Sequence, residues 1–572
     1  MPQLHFRAFA TSLLVALLVP AGAQSAQADG TQTLSGNYLA GRTASGQHDD
    51  DLASGYLKRA LALDANNPVL VERVFLLELS DGNVAGAENF AQRVLASNSQ
   101  HRMARFVEGL RDFRSHRFGE AQHNFAIASY TPVGELTAAL LSAWSYAGQG
   151  ELAPALKQLD KLDSNQSFAN FKTLHTALIS DYLGNSIRAE AAYAKARQQV
   201  GTSLRVVQAY GNFLSRYNRF EEAVKLYQGF LDGDDNPLVK AALADAQARK
   251  KPQPFIASAQ AGAGEALFSM ASAMTDDQSV DVGLLYAQLA LALPADKPVT
   301  YTLLGDIYET LKLPEKAIAA YDKVPAVSPL RINADMEIAV NLQRLDKKDE
   351  ARAKLEAIVA RDPKNYNALV TLGNLHRSNA TFDRAAAVYD RAIALLDPPQ
   401  KENWRVFYYN GISYERQDQW DKAEKLFRRA LELSPEEAMV LNYLGYSLVD
   451  KKRDLPEALS MIKKAVDLKP NDGYIVDSLG WAYYQLGDYE QAMTNCERAT
   501  DLLPSDPIIG EHLGDVYWRV GRKLEAKFQW QHAKDNKPEA NDLKRIEGKL
   551  KDGIADVPPV TPAQNGGVGT NG

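Results

Sequence analysis

One residue spacing constrains the fold of this chain more than any other sequence feature. In the second half, a glycine or alanine recurs at intervals of 34, 34, 38, 34, 35 and 34 residues. These small residues are Gly305, Ala339, Gly373, Gly411, Gly445, Gly480 and Gly514. A fixed period of this length is typical of arrays in which each repeat is one supersecondary unit. Because 572 residues are too many for a single core, a repeat array also accounts for the length.

Each copy keeps the same order of residue types. In one copy, Leu304 and Gly305 are followed by Tyr308, then by Ala317 and Tyr321, with a proline eight residues further on. This pattern resembles the tetratricopeptide repeat, strongly over residues 298–540 and weakly in the first half. The resemblance implies two antiparallel helices per repeat, with the small residue allowing close approach. We therefore expect an all-α fold, a right-handed superhelical solenoid of about 13–14 helix pairs.

The predicted domain boundaries follow from where the repeat weakens or stops. The segment from Lys250 to Pro254 contains two prolines and cannot form an unbroken helix. Toward the end, prolines and glycines favour disorder. We predict a signal peptide (1–28), an N-terminal degenerate array (31–237), a connector (238–260), a C-terminal array (261–540), a capping helix (541–555) and a disordered tail (556–572).

The first residues indicate export. Ala8 to Val19 is almost continuously apolar, and small residues at 21, 23, 26 and 28 offer cleavage after residue 23 or 28. An uncleaved anchor is the alternative. The chain has one cysteine, Cys496, so no cysteine lies near the cleavage region to carry a lipid. We expect a periplasmic protein with no membrane span in the mature chain.

The sequence offers little for catalysis or cofactors. A formal net charge of −7 gives no reason to expect nucleic-acid binding. The nine histidines form no metal-binding pattern. The acidic run from Asp49 to Asp51 is interpreted as the start of a helix rather than a cation site. Cys496 occupies a core slot of its repeat, which favours packing over redox chemistry. We predict no cofactor, no metal and no enzymatic activity; an enzyme of unrecognised type is the minor alternative.

The surface that the resemblance implies is a groove lined by the first helices. Fixed positions on these helices combine aromatic and polar side chains, which suits recognition of a peptide or a helix. Packing of some aromatics between repeats is the alternative. The predicted groove residues are Tyr408, Ile412, Glu415, Asn442, Tyr446, Tyr474, Asp477, Trp481, Tyr484, Glu511, Asp515 and Trp518.

Three segments carry a closer resemblance: 441–448, 474–484 and 512–518. They are similar to the C-terminal repeats of long exported bacterial proteins. One such protein is an outer-membrane lipoprotein that binds and activates a periplasmic C-terminal processing protease and presents cell-wall hydrolases to it. The resemblance implies an adaptor with protein partners of this kind. A structural scaffold for an envelope assembly or polysaccharide-export complex is the alternative, and self-association is compatible with either.

Overall fold

The computed structural model describes residues 33–47, 49–201, 203–294 and 296–555. Within these ranges the chain forms thirty α-helices and no β-strand, which confirms the all-α prediction. The predicted signal peptide and the predicted C-terminal tail lie outside the described residues. The chain divides into two compact units, and the division falls between Ile358 and Val359.

The first unit begins with a series of short helices joined by tight loops. Its helices are α1 Leu34–Gly46, α2 Asp50–Leu63, α3 Pro68–Ser80, α4 Val84–Ser97, α5 Arg102–Arg114, α6 Phe118–Ile127, α7 Pro132–Gly148, α8 Leu152–Asp160, α9 Ala169–Tyr182, α10 Ser186–Gln199, α11 Leu204–Arg216, α12 Phe220–Leu231, α13 Pro237–Gln247, α14 Ala259–Ser272, α15 Val280–Leu291, α16 Lys297–Thr310, α17 Pro314–Asp322 and α18 Arg331–Arg344. The division between the units lies inside α19, Lys348–Arg361.

The second unit continues in the same way to the last described helix. Its helices are α20 Tyr366–Ser378, α21 Phe382–Ile393, α22 Trp404–Glu415, α23 Trp420–Leu433, α24 Ala438–Asp450, α25 Leu455–Leu468, α26 Gly473–Leu486, α27 Tyr489–Leu502, α28 Pro507–Arg519, α29 Lys523–Asp535 and α30 Ala540–Asp552. Within the described residues, most helices pack against the helices that precede and follow them along the chain. This packing agrees with the predicted array.

In many pairs, a glycine of the first helix lies against a large side chain of the second. A Cβ added at Gly305 would lie 2.3 Å from the ring of Tyr321, and one at Gly411 would lie 2.6 Å from the ring of Phe427. Both rings are fully buried. The ring therefore occupies the space that any other residue would need for its side chain.

The acidic run near the start of the chain behaves as a helix start. Asp49 is the N-cap of α2, and its carboxylate accepts a hydrogen bond from the backbone N–H of Leu52 at 3.1 Å. An acceptor at this position satisfies an N–H that has no partner inside the helix. This explains the aspartate without a cation.

In the first unit, α14 and α15 pack back onto earlier helices. The ring of Trp144 in α7 fills the space beside Gly262 of α14. The hydroxyls of Thr137 in α7 and Tyr286 in α15 lie 3.0 Å apart. Gln288 of α15 donates to the Ser80 carbonyl at 3.0 Å. The small side chains of α14 permit this close contact, so the first unit covers part of its own surface with two of its helices.

A buried ion pair fastens α14 to α11. The Arg205 guanidinium donates to both carboxylate oxygens of Glu265, one of them at 2.9 Å, and it lies 3.2 Å from a carboxylate oxygen of Asp296. The rings of Phe255 and Phe268 lie over the guanidinium at 4.6 and 5.3 Å. Glu265 is only 3% exposed, so its charge depends on Arg205 for compensation.

The predicted connector, residues 238–260, has two parts in the structure. Residues 237–247 form α13, which packs on α11 and α12, and residues 248–258 are not helical. The next helix, α14, packs on α7. The predicted domain boundaries remain a prediction.

Gly305→Ala should destabilise the first unit by about 1–3 kcal/mol, because the added methyl overlaps the Tyr321 ring in a packed core. The ring cannot easily move aside, since its hydroxyl donates to Asp306 at 2.6 Å. Urea unfolding followed by circular dichroism measures the effect. Gly229→Ala is the matched control, because this exposed glycine of α12 has no atom within 4 Å of an added Cβ. Equal unfolding curves for both variants would contradict the packing role.

Arg205→Leu should lower the free energy of unfolding by about 3–5 kcal/mol, because it leaves Glu265 buried without its cation. Arg205→Leu combined with Glu265→Leu should recover much of this loss. The control is Arg249→Leu, which breaks a pair between two exposed side chains and should leave thermal unfolding unchanged. An unaltered melting curve for Arg205→Leu would show that α14 is held without the ion pair.

Candidate protein-binding surface

The first helices α24, α26 and α28 of the second unit form one continuous face, here called the inner face. Neighbouring first helices α24, α26 and α28 contact one another, whereas the second helices of these pairs contact one another much less. The stack therefore bends toward the first helices. Residues three or four apart on a helix share a side, so the predicted groove positions of α24, α26 and α28 lie on this face.

The prediction that Tyr408 lines the groove is wrong, because this residue is only 2% exposed. Its ring lies 6.0 Å from Phe427 and 5.8 Å from Tyr443, so it packs between two helix pairs. Burial raises its pKa well above the usual value. Glu415, the last predicted groove position on α22, is partly exposed and accepts from the Tyr443 hydroxyl at 3.2 Å. This part of the predicted groove serves the contact between α22 and α24.

Three rings form a stack on the inner face of α26 and α28. Trp481 lies 4.7 Å from Tyr484 and 4.1 Å from His512, and the ring planes are within 15° of parallel. Trp481 and Tyr484 are partly exposed. The Tyr484 hydroxyl accepts from the Arg519 guanidinium at 3.2 Å. The stack is held in place while part of its apolar surface remains accessible.

His512 was not among the predicted site residues. It is 7% exposed, and its Nδ1 lies 2.7 Å from a carboxylate oxygen of Asp477. Burial acts to lower the pKa of His512, but the charge and hydrogen bond of Asp477 outweigh it, so the pKa is raised above 6.5. The repeat spacing could have predicted this contact, because position 512 faces position 477 of the preceding repeat.

Two acceptors beneath this face lack donors. The Asn442 side-chain oxygen on α24 and the second carboxylate oxygen of Asp477 on α26 are buried and have no hydrogen-bond partner. The two residues are 7% and 6% exposed. Tyr446, one turn beyond Asn442, is partly exposed, and burial and the nearby charge of Asp477 raise its pKa. A buried acceptor without a donor costs about 1–3 kcal/mol.

The last described helix binds the other end of the inner face. Glu511 is 1% exposed and accepts from Arg545 twice at 2.6 Å and from Lys549 at 2.6 Å. Lys549 also donates to Asp515 at 2.6 Å. Burial acts to raise the pKa of Glu511, but the two cations outweigh it and the pKa is lowered. At Asp515 burial prevails over Lys549, and the pKa is raised.

Glu511 and Asp515 are buried and do not line an open groove, which corrects their prediction, whereas Trp518 is partly exposed and remains a predicted groove residue. The Trp518 indole donates to the Ile554 carbonyl at 2.9 Å, and the Lys523 ammonium lies 3.7 Å from its ring centre. All three predicted groove residues thus have partners within the chain. The sequence signal was the pair of cations four residues apart in the predicted capping helix.

Tyr474 begins α26 at the edge of the face. It is partly exposed beside Leu503, in a shallow depression at the start of the helix. Burial raises its pKa, and the hydrogen bond and charge of Asp506 act in the same direction. The predicted residues that the structure brings together with exposed apolar surface are therefore Tyr446, Trp481 and Tyr484. Binding of a partner there remains a prediction.

Other features give no separate site. Cys496 is fully buried, and burial raises the pKa of its thiol. Among the described residues, no group of three histidine, cysteine or acidic side chains could hold a metal ion. A search of the same residues finds no helix with the length and apolarity needed to cross a membrane.

The raised pKa of His512 predicts a pH-dependent contribution to stability. It is fully present below the unfolded value of 6.5 and is lost as pH rises through the higher folded value. The difference in unfolding free energy between the wild type and His512→Asn should therefore shrink from pH 5.5 to pH 8.5. Asp477→Asn should lower the pKa of His512, measured by NMR titration. A difference that does not change with pH would contradict the assignment.

Several known proteins are similar to parts of this chain. The TPR repeat-containing protein PA4667 of Pseudomonas aeruginosa is 36% identical over 86 residues, which are 15% of this chain and 15% of that protein. The BBSome complex member BBS4 of Bos taurus is 31% identical over 111 residues, 19% of this chain and 20% of that protein. The human protein O-mannosyl-transferase TMTC1 is 24% identical over 185 residues, 32% and 21% respectively. The matches thus span between 15% and 21% of these relatives.

Solved structures that match this chain share little sequence with it. The APC/C hetero-tetramer Cut9–Hcn1 is 14% identical, with 91% of this chain and 96% of that chain covered and a TM-score of 0.38. Yeast Tom70 is 16% identical, with 91% and 95% covered and a TM-score of 0.34.

Models of the repeat family match the chain directly. Models described as tetratricopeptide repeat match residues 299–324, 336–398 and 410–473, and one described as TPR repeat matches residues 480–521. These stretches contain the predicted period and the helix pairs of the structure. The chain therefore carries tetratricopeptide repeats over these stretches, and repeats of this kind serve as a scaffold or adaptor for protein–protein interaction.

Proposed function

We propose that this chain is an exported adaptor of the cell envelope that binds a protease or another envelope enzyme and presents protein substrates to it. Export rests on the signal-peptide pattern of residues 1–28. The partner class rests on the resemblance of residues 438–535 to exported bacterial repeat proteins. The binding surface is the inner face at α24 and α26.

One observation carries this choice of surface. Partly exposed aromatic rings of Tyr446 and Trp481 each lie one helical turn from a buried acceptor that has no donor, on Asn442 and Asp477, and Tyr484 stacks on Trp481. Aromatic side chains with a polar neighbour are the usual anchors of protein interfaces. The rings supply apolar contact area, and the acceptors favour a partner that brings N–H groups.

The acceptors also indicate the conformation of the partner. An extended segment exposes backbone N–H groups that no helix or sheet has satisfied. Such a segment crossing α24 and α26 would pass over Asn442 and Asp477, which occupy equivalent positions in neighbouring repeats, and would pair with their oxygens once binding turns these side chains toward the face. We therefore expect an extended stretch of the partner to bind across the two helices.

A pull-down from a periplasmic extract tests the proposal. The bait is the chain from residue 29, compared with a Tyr446→Ala, Trp481→Ala variant. Trp518 is left intact because it binds Ile554. Tyr130→Ala is the control, since this tyrosine is 60% exposed in the other unit. We expect a processing protease or cell-wall hydrolase to be captured by the wild type and the control and lost, at least tenfold, from the double variant.

Asn442→Leu separates binding from folding. Because the Asn442 oxygen has no partner in the free protein, an apolar side chain of similar shape should leave the free energy of unfolding unchanged or raise it by about 1 kcal/mol. The same change should weaken capture of the partner. An export or assembly complex retained equally by all baits would favour the structural scaffold instead and would place binding elsewhere.

A further inference from the structure

Two large apolar side chains stand exposed on α29. Leu524 is 81% exposed and Phe528 is 69% exposed. They lie four residues apart, so they share one side of the helix. The buried residues of α29 are Ala526, Trp530 and Ala533, and they point the opposite way. Leu524 and Phe528 therefore project away from the core, side by side.

The same region is basic, although the whole chain is acidic. Residues 519–552 contain ten lysines and arginines and six aspartates and glutamates, a net charge of +4 within a chain of net charge −7. Lys527 is exposed on α29, and Lys544 and Lys551 are exposed on α30. Across the described part of the chain, none of these three ammonium groups has an acidic partner within ion-pair distance.

The two helices form one basic surface. Lys534 of α29 pairs with Glu547 of α30 at 2.9 Å, which joins the lysine-bearing edge of α29 to α30. Lys523 and Lys527 follow that edge next to Leu524 and Phe528. The apolar pair thus has cations along one side, and this combination is here called the basic–apolar face.

We propose that the basic–apolar face docks on the surface of an anionic lipid bilayer. Two apolar side chains that protrude from a convex helix bury little area against a rigid protein surface without a matching pocket. A bilayer interface is soft and accommodates Leu524 and Phe528 among its acyl chains, while the lysine ammonium groups meet lipid phosphates. The charge balance selects anionic headgroups. This docking is independent of the inner face and would hold the protein at a membrane without a lipid anchor.

Vesicle flotation with the chain from residue 29 tests the proposal. We expect the protein to float with vesicles containing phosphatidylglycerol, and not with phosphatidylcholine alone, at low salt. The Leu524→Ser, Phe528→Ser variant should lose at least five-fold in the bound fraction. The Lys527→Gln, Lys544→Gln, Lys551→Gln variant should also bind less and depend less on salt. Ile187→Ser is the control, because this isoleucine of α10 is 85% exposed in the other unit.

Three outcomes would overturn the proposal. One is the absence of flotation with any vesicle, and another is equal flotation of the wild type and the Leu524→Ser, Phe528→Ser variant. The third is a concentration-dependent dimer that this variant abolishes, since the face would then bind a second copy. The inner-face variant Tyr446→Ala, Trp481→Ala should float like the wild type, so failure of the proposed function and failure of lipid docking are distinguishable.

Discussion

The close approach of the two helices in each pair is the contact on which the rest of the structure depends. At Gly305, Gly411 and Gly514, a ring from the second helix occupies the space of the missing side chain. A ring inserted between two helices fixes both their distance and their rotation. The same ring reaches the next pair, as Phe427 does with Tyr443 at 5.3 Å. Pair geometry, stacking of pairs and orientation of the first helices therefore follow from one contact.

This contact also explains where the aromatic residues of the inner face occur. In the Gly305 and Gly514 pairs, the inserted side chain is a hydrogen-bond donor and the residue after the glycine is its acceptor: Tyr321 donates to Asp306 and Trp530 to Asp515. In the Gly480 pair the inserted side chain is Cys496, and the residue after the glycine is Trp481. Position 481 therefore does not need to supply an acceptor to the second helix. The Trp481 ring stacks on His512 instead.

The sequence predicted the helix pairs, which depend on local and repeated residues. It did not predict contacts between particular residues of different helix pairs. The period and the order of residue types predicted the helix pairs and placed Trp481 and Tyr484 on the inner face. The same positional rule failed at Tyr408, because exposure there depends on Tyr443 of the next pair. Arg545 lies 34 residues after Glu511, and a repeat pattern carries no information about which cation a carboxylate will meet.

The packing of α14 and α15 in the first unit is a stronger case of contacts that the repeat pattern does not predict. Thr137 and Tyr286 meet across 149 residues of chain. The predicted C-terminal array (261–540) includes α14 and α15, and nothing in the repeat spacing pointed to Trp144 as the residue that Gly262 of α14 would approach. Periodicity predicts contacts between neighbouring units, whereas contacts of high sequence separation depend on how the array curves.

Some buried polar groups on the inner face have hydrogen-bond partners within the chain and others have none. This difference determines how a partner would gain affinity. The chain neutralises Glu511 with two cations of its own, yet it leaves the oxygen of Asn442 and one oxygen of Asp477 without donors. The free protein thus carries a desolvation cost at α24 and α26 that its own helices do not relieve. A ligand that donates hydrogen bonds there gains by removing an existing penalty, in addition to covering the rings. A purely apolar ligand would cover the same rings and leave the penalty in place, so this face should discriminate by hydrogen-bond donors more than by contact area.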